Sequence, residues 1–216
     1  MSTDLVFVKL GGSLITDKTQ AETPRSHVIA RLAQEVHRAL QVRPDLRLLV
    51  GHGSGSFGHW HASQYRTREG VHGRDAWVGF VQVAASAARL NHLVAQAFIE
   101  AGVPVLAVRP SSSARCRNGA LVHLDIGPIY RALEEALVPL VHGDVAFDEE
   151  WGGTIVSTEE LMVFMTRELR PVRILLLGET PGVLNARAGA DEWVGTTTPR
   201  ITPQNIGRPA SDRSPR

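Results

Sequence analysis

LVFVKLGGS, at residues 5–13, is an apolar run that stops at two glycines. This pattern predicts a buried β-strand that is followed by a tight turn. It returns at residues 46–58, where LRLLV precedes GHGSGSFG, and again before Gly143 and before Gly178. In open α/β sheets, ligands bind beyond the carboxyl ends of the strands. The four glycine-bearing segments therefore predict a ligand site along one edge of a sheet.

Helical periodicity alternates with these strands. Apolar residues at helical spacing predict four helices, at residues 26–42 (with Ser26 as N-cap), 77–101, 128–136 and 157–169. Further strands are predicted at residues 103–108, 138–142 and 174–177, and a hairpin at 115–124 turns at Asn118-Gly119. The alternation predicts an α/β fold with a mainly parallel sheet.

Composition narrows the classes of protein. The chain has 216 residues, 43% of them hydrophobic and 21% charged, and a net charge of +1. This composition excludes general disorder, and the charge offers no attraction to nucleic acid or an anionic membrane. Cys116 is the single cysteine and is interpreted as structural; with no signal peptide in the sequence, we expect a cytoplasmic protein. Residues 207–216 are predicted to be a disordered tail.

The glycine-rich edge suits phosphate, because glycine lets backbone N–H groups approach an anion closely. The chain has two lysines, Lys9 and Lys18, and both flank the first glycine turn. Lys9 ends an apolar strand, where a charge needs an anion or water. His59 follows the second glycine turn and could donate to a phosphate. A metal site at the neighbouring histidines is disfavoured, because no cysteine or carboxylate stands beside them at ligand spacing.

Two common nucleotide motifs fit poorly. Residues 53–58 match G-x-G-x-x-G, and Asp75 lies at the distance expected for a dinucleotide fold. However, residues 65–74 do not have the pattern of the strand that such a fold requires, so this reading is disfavoured. A Walker A motif is absent from the sequence, which disfavours a P-loop kinase.

Several motifs together resemble a known family. They are Lys9–Ser13, Lys18, GHGSGSFGH at 51–59, Arg109–Ser112, VPLVHGDV at 138–145, Gly153–Ser157 and Pro199–Pro203. Over about residues 5–206 the chain resembles the amino acid kinase superfamily and, within it, the isopentenyl phosphate kinases. The resemblance implies a three-layer αβα sandwich and ATP-dependent phosphorylation of isopentenyl phosphate to isopentenyl diphosphate with Mg²⁺. It also implies a homodimer that forms through the long helices.

The resemblance assigns roles to residues at the edge. The ATP phosphates would be lined by Lys9, Gly11, Gly12, Ser13 and Gly55, with Glu179 on the nucleotide side. The acceptor phosphate would be held by Ser54, His59 and Gly143. Lys18 would stabilise charge on the transferring phosphoryl group, and Asp144 would organise the lysines or the metal. The catalytic residues would be Lys9, Lys18 and His59. Phe80, Val81 and Ala84 would wall the isoprenoid tail.

The chain also departs from the family pattern. Ser157-Thr158-Glu159-Glu160 stands where many relatives read S-G-D-E. By comparison with the family, we also expect the final strands and helix of the nucleotide half to be missing. We therefore expect one domain at 1–206, with an acceptor half at about 1–150 and a partial nucleotide half at about 151–206. Two alternatives stay open: a kinase for another phosphate or phosphonate such as fosfomycin, and a truncated, non-catalytic remnant that binds the acceptor.

Overall fold

The computed structural model describes residues 4–179, 183–184 and 197–198, without the side chains of residues 59–61, 63, 183–184 and 197–198. The strands are β1 Leu5–Leu10, β2 Thr16–Asp17, β3 Thr23–Pro24, β4 Arg47–His52, β5 Val105–Ala107, β6 Arg115–Arg117, β7 Ala120–His123, β8 Val138–His142, β9 Asp144–Asp148, β10 Gly152–Val156, β11 Arg173–Leu177, β12 Val183–Leu184 and β13 Thr197–Thr198. The helices are α1 Gly12–Ile15, α2 Ser26–Val42, α3 Gly55–Tyr65, α4 Gly73–Glu100, α5 Gly127–Glu134 and α6 Thr158–Leu169.

The chain forms two units, Met1–Leu177 and Gly178–Arg216. The first unit contains a five-stranded sheet in the order β11-β1-β4-β8-β5, and every neighbouring pair in it is parallel. The described part of the second unit consists of residues 178–179 and the antiparallel pair β12–β13. The predicted tail at 207–216 and the segment Pro199–Pro203 lie outside the described residues.

Helices cover both faces of the five-stranded sheet, because alternate strand residues point to opposite faces. On one face, α2 and α4 pack on the sheet through side chains such as Ile29, Leu90 and Val94. On the other face, α5 and α6 pack through residues such as Ile129 and Met162. The predicted α/β fold, a three-layer αβα sandwich with a mainly parallel central sheet, is confirmed. In the described part of the chain, no helix is long and apolar enough to cross a membrane.

A second, four-stranded sheet has the order β10-β9-β6-β7. Its β6–β7 hairpin is the predicted one, and Asn118 and Gly119 both have positive φ, as a type I′ turn requires. Asp148 at the end of β9 accepts backbone N–H groups from both turn residues. Cys116 is fully buried in β6, and burial raises the pKa of its thiol to about 11, with Asp148 and Glu160 adding to the shift. This environment suits a structural cysteine.

The helices differ from the sequence prediction at several positions, including the start of α2 and the exposed face of α4. Ser26 is the first residue of α2 rather than its N-cap, since Arg25 caps the helix and donates its backbone N–H to Ile15 O at 2.8 Å. In α4 the buried stripe includes Phe80, Val83 and Ala87, whereas Val81, which the resemblance expects to wall the isoprenoid tail, is 60% exposed. Val81 therefore does not wall an enclosed apolar pocket.

Candidate active site

The predicted glycine edge forms at the carboxyl ends of adjacent strands. Leu10, the last residue of β1, stands opposite His52 on β4, and His52 stands opposite His142 on β8. Backbone hydrogen bonds continue past the strand ends, from Gly53 N to Leu10 O at 3.0 Å and from Gly143 N to His52 O at 3.3 Å. The structure thus brings three of the predicted glycine turns together in the first unit.

Two of these turns touch through their backbones. A Cβ on Gly12 would lie 2.5 Å from Gly55 N, and a Cβ on Gly53 would lie 3.0 Å from Gly12 N. Gly55 has a φ of +48°, and a Cβ there would lie 2.0 Å from Thr16 Oγ1. Gly12 and Gly55 must both be glycine, since a side chain at either position would push the two turns apart. The result is a surface of closely spaced peptide groups, which suits phosphate oxygens.

The Thr16 hydroxyl joins the same two turns. Its Oγ1 donates to Gly12 O at 2.7 Å and accepts the backbone N–H of Ser56 at 2.9 Å. Thr16 is fully buried, so both hydrogen bonds are shielded from water. The sequence reasoning did not identify this residue, because a threonine four positions after a glycine carries no signal of its own.

Lys9 has the anionic partner that its position demands. Its Nζ lies 2.7 Å from Oε1 of Glu159, the second residue of α6, and the side chains are 15% and 52% exposed. Burial acts to raise the pKa of Glu159, but the hydrogen bond and charge of Lys9 outweigh it, so this pKa lies below the usual value. Thr158, one residue earlier, donates to His52 O at 2.6 Å and ties α6 to the edge.

Asp144, predicted to organise the lysines or the metal, has other partners in the structure. Its Oδ2 accepts the backbone N–H of Ser111 at 3.2 Å, and its Oδ1 accepts that of Val145 at 2.9 Å. Burial raises the pKa of Asp144, although these hydrogen bonds oppose the shift. The carboxylate that pairs with Lys9 is that of Glu159, a residue that the sequence reasoning did not identify.

Two stacked histidines lie directly beneath the edge. The rings of His52 and His142 are 5.6 Å apart, and both side chains are fully buried. Asn91 of α4 lies 3.1 Å from His52 Nε2, whereas neither ring nitrogen of His142 has a hydrogen-bond partner among the described residues. Burial lowers the pKa of His52 to about 3, with the His142 charge adding, and that of His142 to about 4, with Arg109 adding. Both imidazoles are neutral at pH 7.

The remaining predicted site residues are distributed as follows. Gly11 and Ser13 flank Gly12 at the end of β1, Ser54 caps α3, and Lys18 is exposed between β2 and β3. His59 lies within α3, but its side chain is not described, and Glu179 is exposed in the second unit. Across the described residues, no group of three or more His, Cys, Asp or Glu side chains is arranged to hold a metal ion.

Comparisons with known proteins agree with this architecture. The sequence model of the amino acid kinase family matches residues 4–208. An isopentenyl phosphate kinase of Haloferax volcanii is 38% identical over 183 residues, which cover 84% of this chain and 72% of the relative. One of Methanothermobacter thermautotrophicus is 32% identical over 186 residues, covering 83% and 68%. Solved X-ray structures of an isopentenyl phosphate kinase match with a TM-score of 0.78 and 30% identity, covering 85% of this chain and 75% of theirs. The chain belongs to the amino acid kinase family and, within it, to the isopentenyl phosphate kinases.

Proposed function

We propose that this chain catalyses ATP-dependent phosphorylation of isopentenyl phosphate to isopentenyl diphosphate. The observation that carries the proposal is the glycine edge, where Gly12 and Gly55 touch and Lys9 lies near the end of β1. The curated relatives matched over most of this chain are isopentenyl phosphate kinases. A phosphate-binding edge with a cation beside it is what transfer between two phosphates requires.

In the proposed reaction, an oxygen of isopentenyl phosphate attacks the γ-phosphorus of ATP, and the bond from that phosphorus to the bridging oxygen breaks to release ADP. Such a transfer asks for positioning and charge stabilisation rather than covalent chemistry by the protein. The peptide groups at Gly11, Gly12, Ser13 and Gly55 would hold the ATP phosphates, and Glu179 would lie on the nucleotide side. Lys9 would approach these phosphates as a point charge, held by Glu159 until they arrive.

Ser54, His59 and Gly143 would hold the phosphate of the acceptor, and Lys18 would move with the transferring group. Asp144, which immediately follows Gly143, would act on the acceptor side through this turn. Phe80 of α4 packs against Trp77 and Phe147, and Phe147 is 57% exposed, so this aromatic group offers a surface for a hydrocarbon tail.

Mg²⁺ is part of the proposal. In kinases this ion keeps most of its ligands from water and substrate phosphates and needs one or two protein carboxylates. Glu159 fits that demand, because it is half exposed beside Lys9 at the edge. When bound, the ion would neutralise charge on the ATP phosphates. We also propose a cytoplasmic homodimer, with an acceptor half at about 1–150 and a nucleotide half at about 151–206.

Phosphorus NMR tests the proposal directly. The chain is mixed with ATP, Mg²⁺ and isopentenyl phosphate, and we expect the signals of ADP and a diphosphate monoester to appear. Lys18→Ala should lower kcat by about a hundredfold or more, because one charge on the transferring group is lost. A wild-type chain that consumes no ATP with this acceptor, or an unaffected Lys18→Ala variant, would contradict it.

The same preparation separates the alternatives. Turnover with a phosphonate such as fosfomycin, and none with isopentenyl phosphate, would favour the other acceptor class. Calorimetry that detects binding of isopentenyl phosphate but not of ATP would favour a non-catalytic acceptor-binding protein.

A further inference from the structure

Lys18 lies in a short loop whose two ends are held differently. β2 and β3 pair antiparallel, with Asp17 opposite Thr23, so residues 18–22 form the connection between them. At the start of the loop, Asp17 Oδ1 accepts the backbone N–H and the hydroxyl of Thr19. No described residue forms a hydrogen bond or ion pair with the Lys18 ammonium. The position of that ammonium therefore depends on the backbone of the loop.

The other end of the loop is fixed to the long helix α4 by Glu22. Arg89 approaches both carboxylate oxygens of Glu22, with Nε 3.0 Å from Oε2 and Nη2 in contact with Oε1. Ser86 Oγ lies 2.7 Å from the same Oε1 and 2.6 Å from Phe57 O of α3, and its single proton is donated to one of these two acceptors at a time. A fork-to-fork arginine–carboxylate pair fixes direction as well as distance.

The backbone at Glu22 supports a specific role for its carboxylate. Its φ is +49°, in the left-handed region that glycine adopts most easily. A turn that served only to connect two strands would favour glycine or asparagine at this position. Glutamate accepts the backbone strain here, and its carboxylate reaches Arg89.

The hairpin continues from Glu22 to the glycine edge. The backbone N–H of Thr23 donates to Ser56 Oγ at 3.2 Å, and the backbone N–H of Ser56 donates to Thr16 Oγ1 at 2.9 Å. Thr16 in turn donates to Gly12 O. The loop that carries Lys18 is thus linked on one side to α4 and on the other to the turn proposed to bind ATP.

We propose that Glu22, held by Arg89 and Ser86, is a positioning residue that fixes residues 18–22 so that Lys18 reaches the transferring phosphoryl group. The inference rests on the proposed function, because it takes the role of Lys18 from there. A lysine side chain is long and flexible, and rate depends steeply on how well a charge is placed. Fixing the backbone of the loop removes part of the freedom that the side chain would otherwise have.

Backbone NMR tests whether the ion pair of Glu22 with Arg89 fixes residues 18–22, and this measurement does not need turnover. Lys9 and Lys18 are the only lysines, so a chain labelled with ¹⁵N-lysine gives two amide signals. In the wild type we expect both to have order parameters near 0.85, the value of rigid backbone. In Glu22→Ala the Lys18 signal should fall below about 0.6, while Lys9 in β1 stays unchanged. Arg89→Gln removes the same ion pair from the α4 side and should give the same result, even where Glu22→Ala folds poorly.

Glu149→Gln is the matched control, since Glu149 forms an ion pair with Arg117 of comparable exposure on the second sheet. It should leave both lysine signals and kcat unchanged. An order parameter for Lys18 that is the same in the wild type, Glu22→Ala and Arg89→Gln would overturn the proposal.

Kinetic measurements then test whether Glu22 affects the reaction rate through the position of Lys18. Glu22→Ala should lower kcat by about tenfold to a hundredfold, with little change in the KM for isopentenyl phosphate. In a Lys18→Ala background the same change should lower kcat no further, because the group being positioned is gone. A kcat effect that persists undiminished in that background overturns the proposal. Failure of wild-type turnover refutes the proposed function instead, and the NMR result still decides whether Glu22 fixes the loop.

Discussion

Gly55→Ala is the sharpest test of the contact between the two glycine turns. Its Cβ would lie 2.0 Å from Thr16 Oγ1 and 2.6 Å from Gly12 O, well inside van der Waals distance. Because Gly55 also has a φ of +48°, alanine must tolerate a left-handed backbone there. Gly73 has a φ of +78° but no atom within 4 Å of the added Cβ. Gly73→Ala therefore carries the backbone cost without the steric one.

The two costs can be separated by size. A left-handed backbone costs a residue other than glycine about 1–2 kcal/mol. Overpacking a tight site costs a further 1–3 kcal/mol or so. Gly73→Ala should therefore lower the free energy of unfolding by about 1–2 kcal/mol, and Gly55→Ala by about 2–5 kcal/mol. In a chain of this length, each kcal/mol corresponds to a change in Tm of about 2–4 °C.

Urea unfolding and calorimetry of the two variants measure the difference, and ATP binding is followed on the folded variants. We expect Gly55→Ala to lose ATP affinity as well as stability, whereas Gly73→Ala keeps its affinity. Equal losses of stability in the two variants would refute the steric part of the reasoning. Unchanged ATP affinity in Gly55→Ala would refute the role of the contact in phosphate binding.

Two further predictions concern charge at the edge. Lys9→Met should reduce ATP affinity, measured by calorimetry, by about tenfold or more. Its Tm should change by less than about 4 °C, because a partly exposed ion pair contributes about 1 kcal/mol or less to stability. An unchanged ATP affinity would count against a role of Lys9 in phosphate binding. Since burial lowers the pKa of His52 to about 3 and of His142 to about 4, the unfolded chain binds more protons than the folded chain between those values and about pH 6.5. The free energy of unfolding should therefore fall as the pH drops through this range, and His142→Gln should flatten the slope in urea titrations; a slope equal to that of the wild type would contradict this.

Much of the fold follows from local sequence signals. β1 and α2 have the bounds that the sequence predicts, because glycines end one and Pro44 follows the other. The capping box of α6 is a local signal of this kind, since the side chains of Ser157 and Glu160 accept each other's backbone N–H groups. These features depend on residues a few positions apart, so a single sequence contains the information that they require.

The parts that the sequence reasoning missed depend on distant contacts. α3 begins within the glycine-rich segment. Because glycine and serine are weak helix formers, the sequence there shows no helical pattern, and tertiary packing determines that a helix forms. Glu159 meets Lys9 only because α6 packs beside β1, and Glu22 meets Arg89 only because the hairpin lies against α4. Hydrophobic periodicity does not fully define the buried face of α4, because small residues occupy both faces of this helix. Val81 is one apolar residue of this helix that is exposed.

The contact between Gly12 and Gly55 also limits how this chain can vary over generations. An overpacked pair in a protein core is commonly rescued when the second residue becomes smaller, so that drift proceeds through compensating changes. Here the second residue is already glycine, and there is no side chain left to remove. A larger residue at Gly12 would meet the backbone of Gly55, and at Gly55 the loss of the Thr16 side chain would still leave Gly12 O 2.6 Å from the added Cβ, so a substitution elsewhere cannot fully accommodate either change.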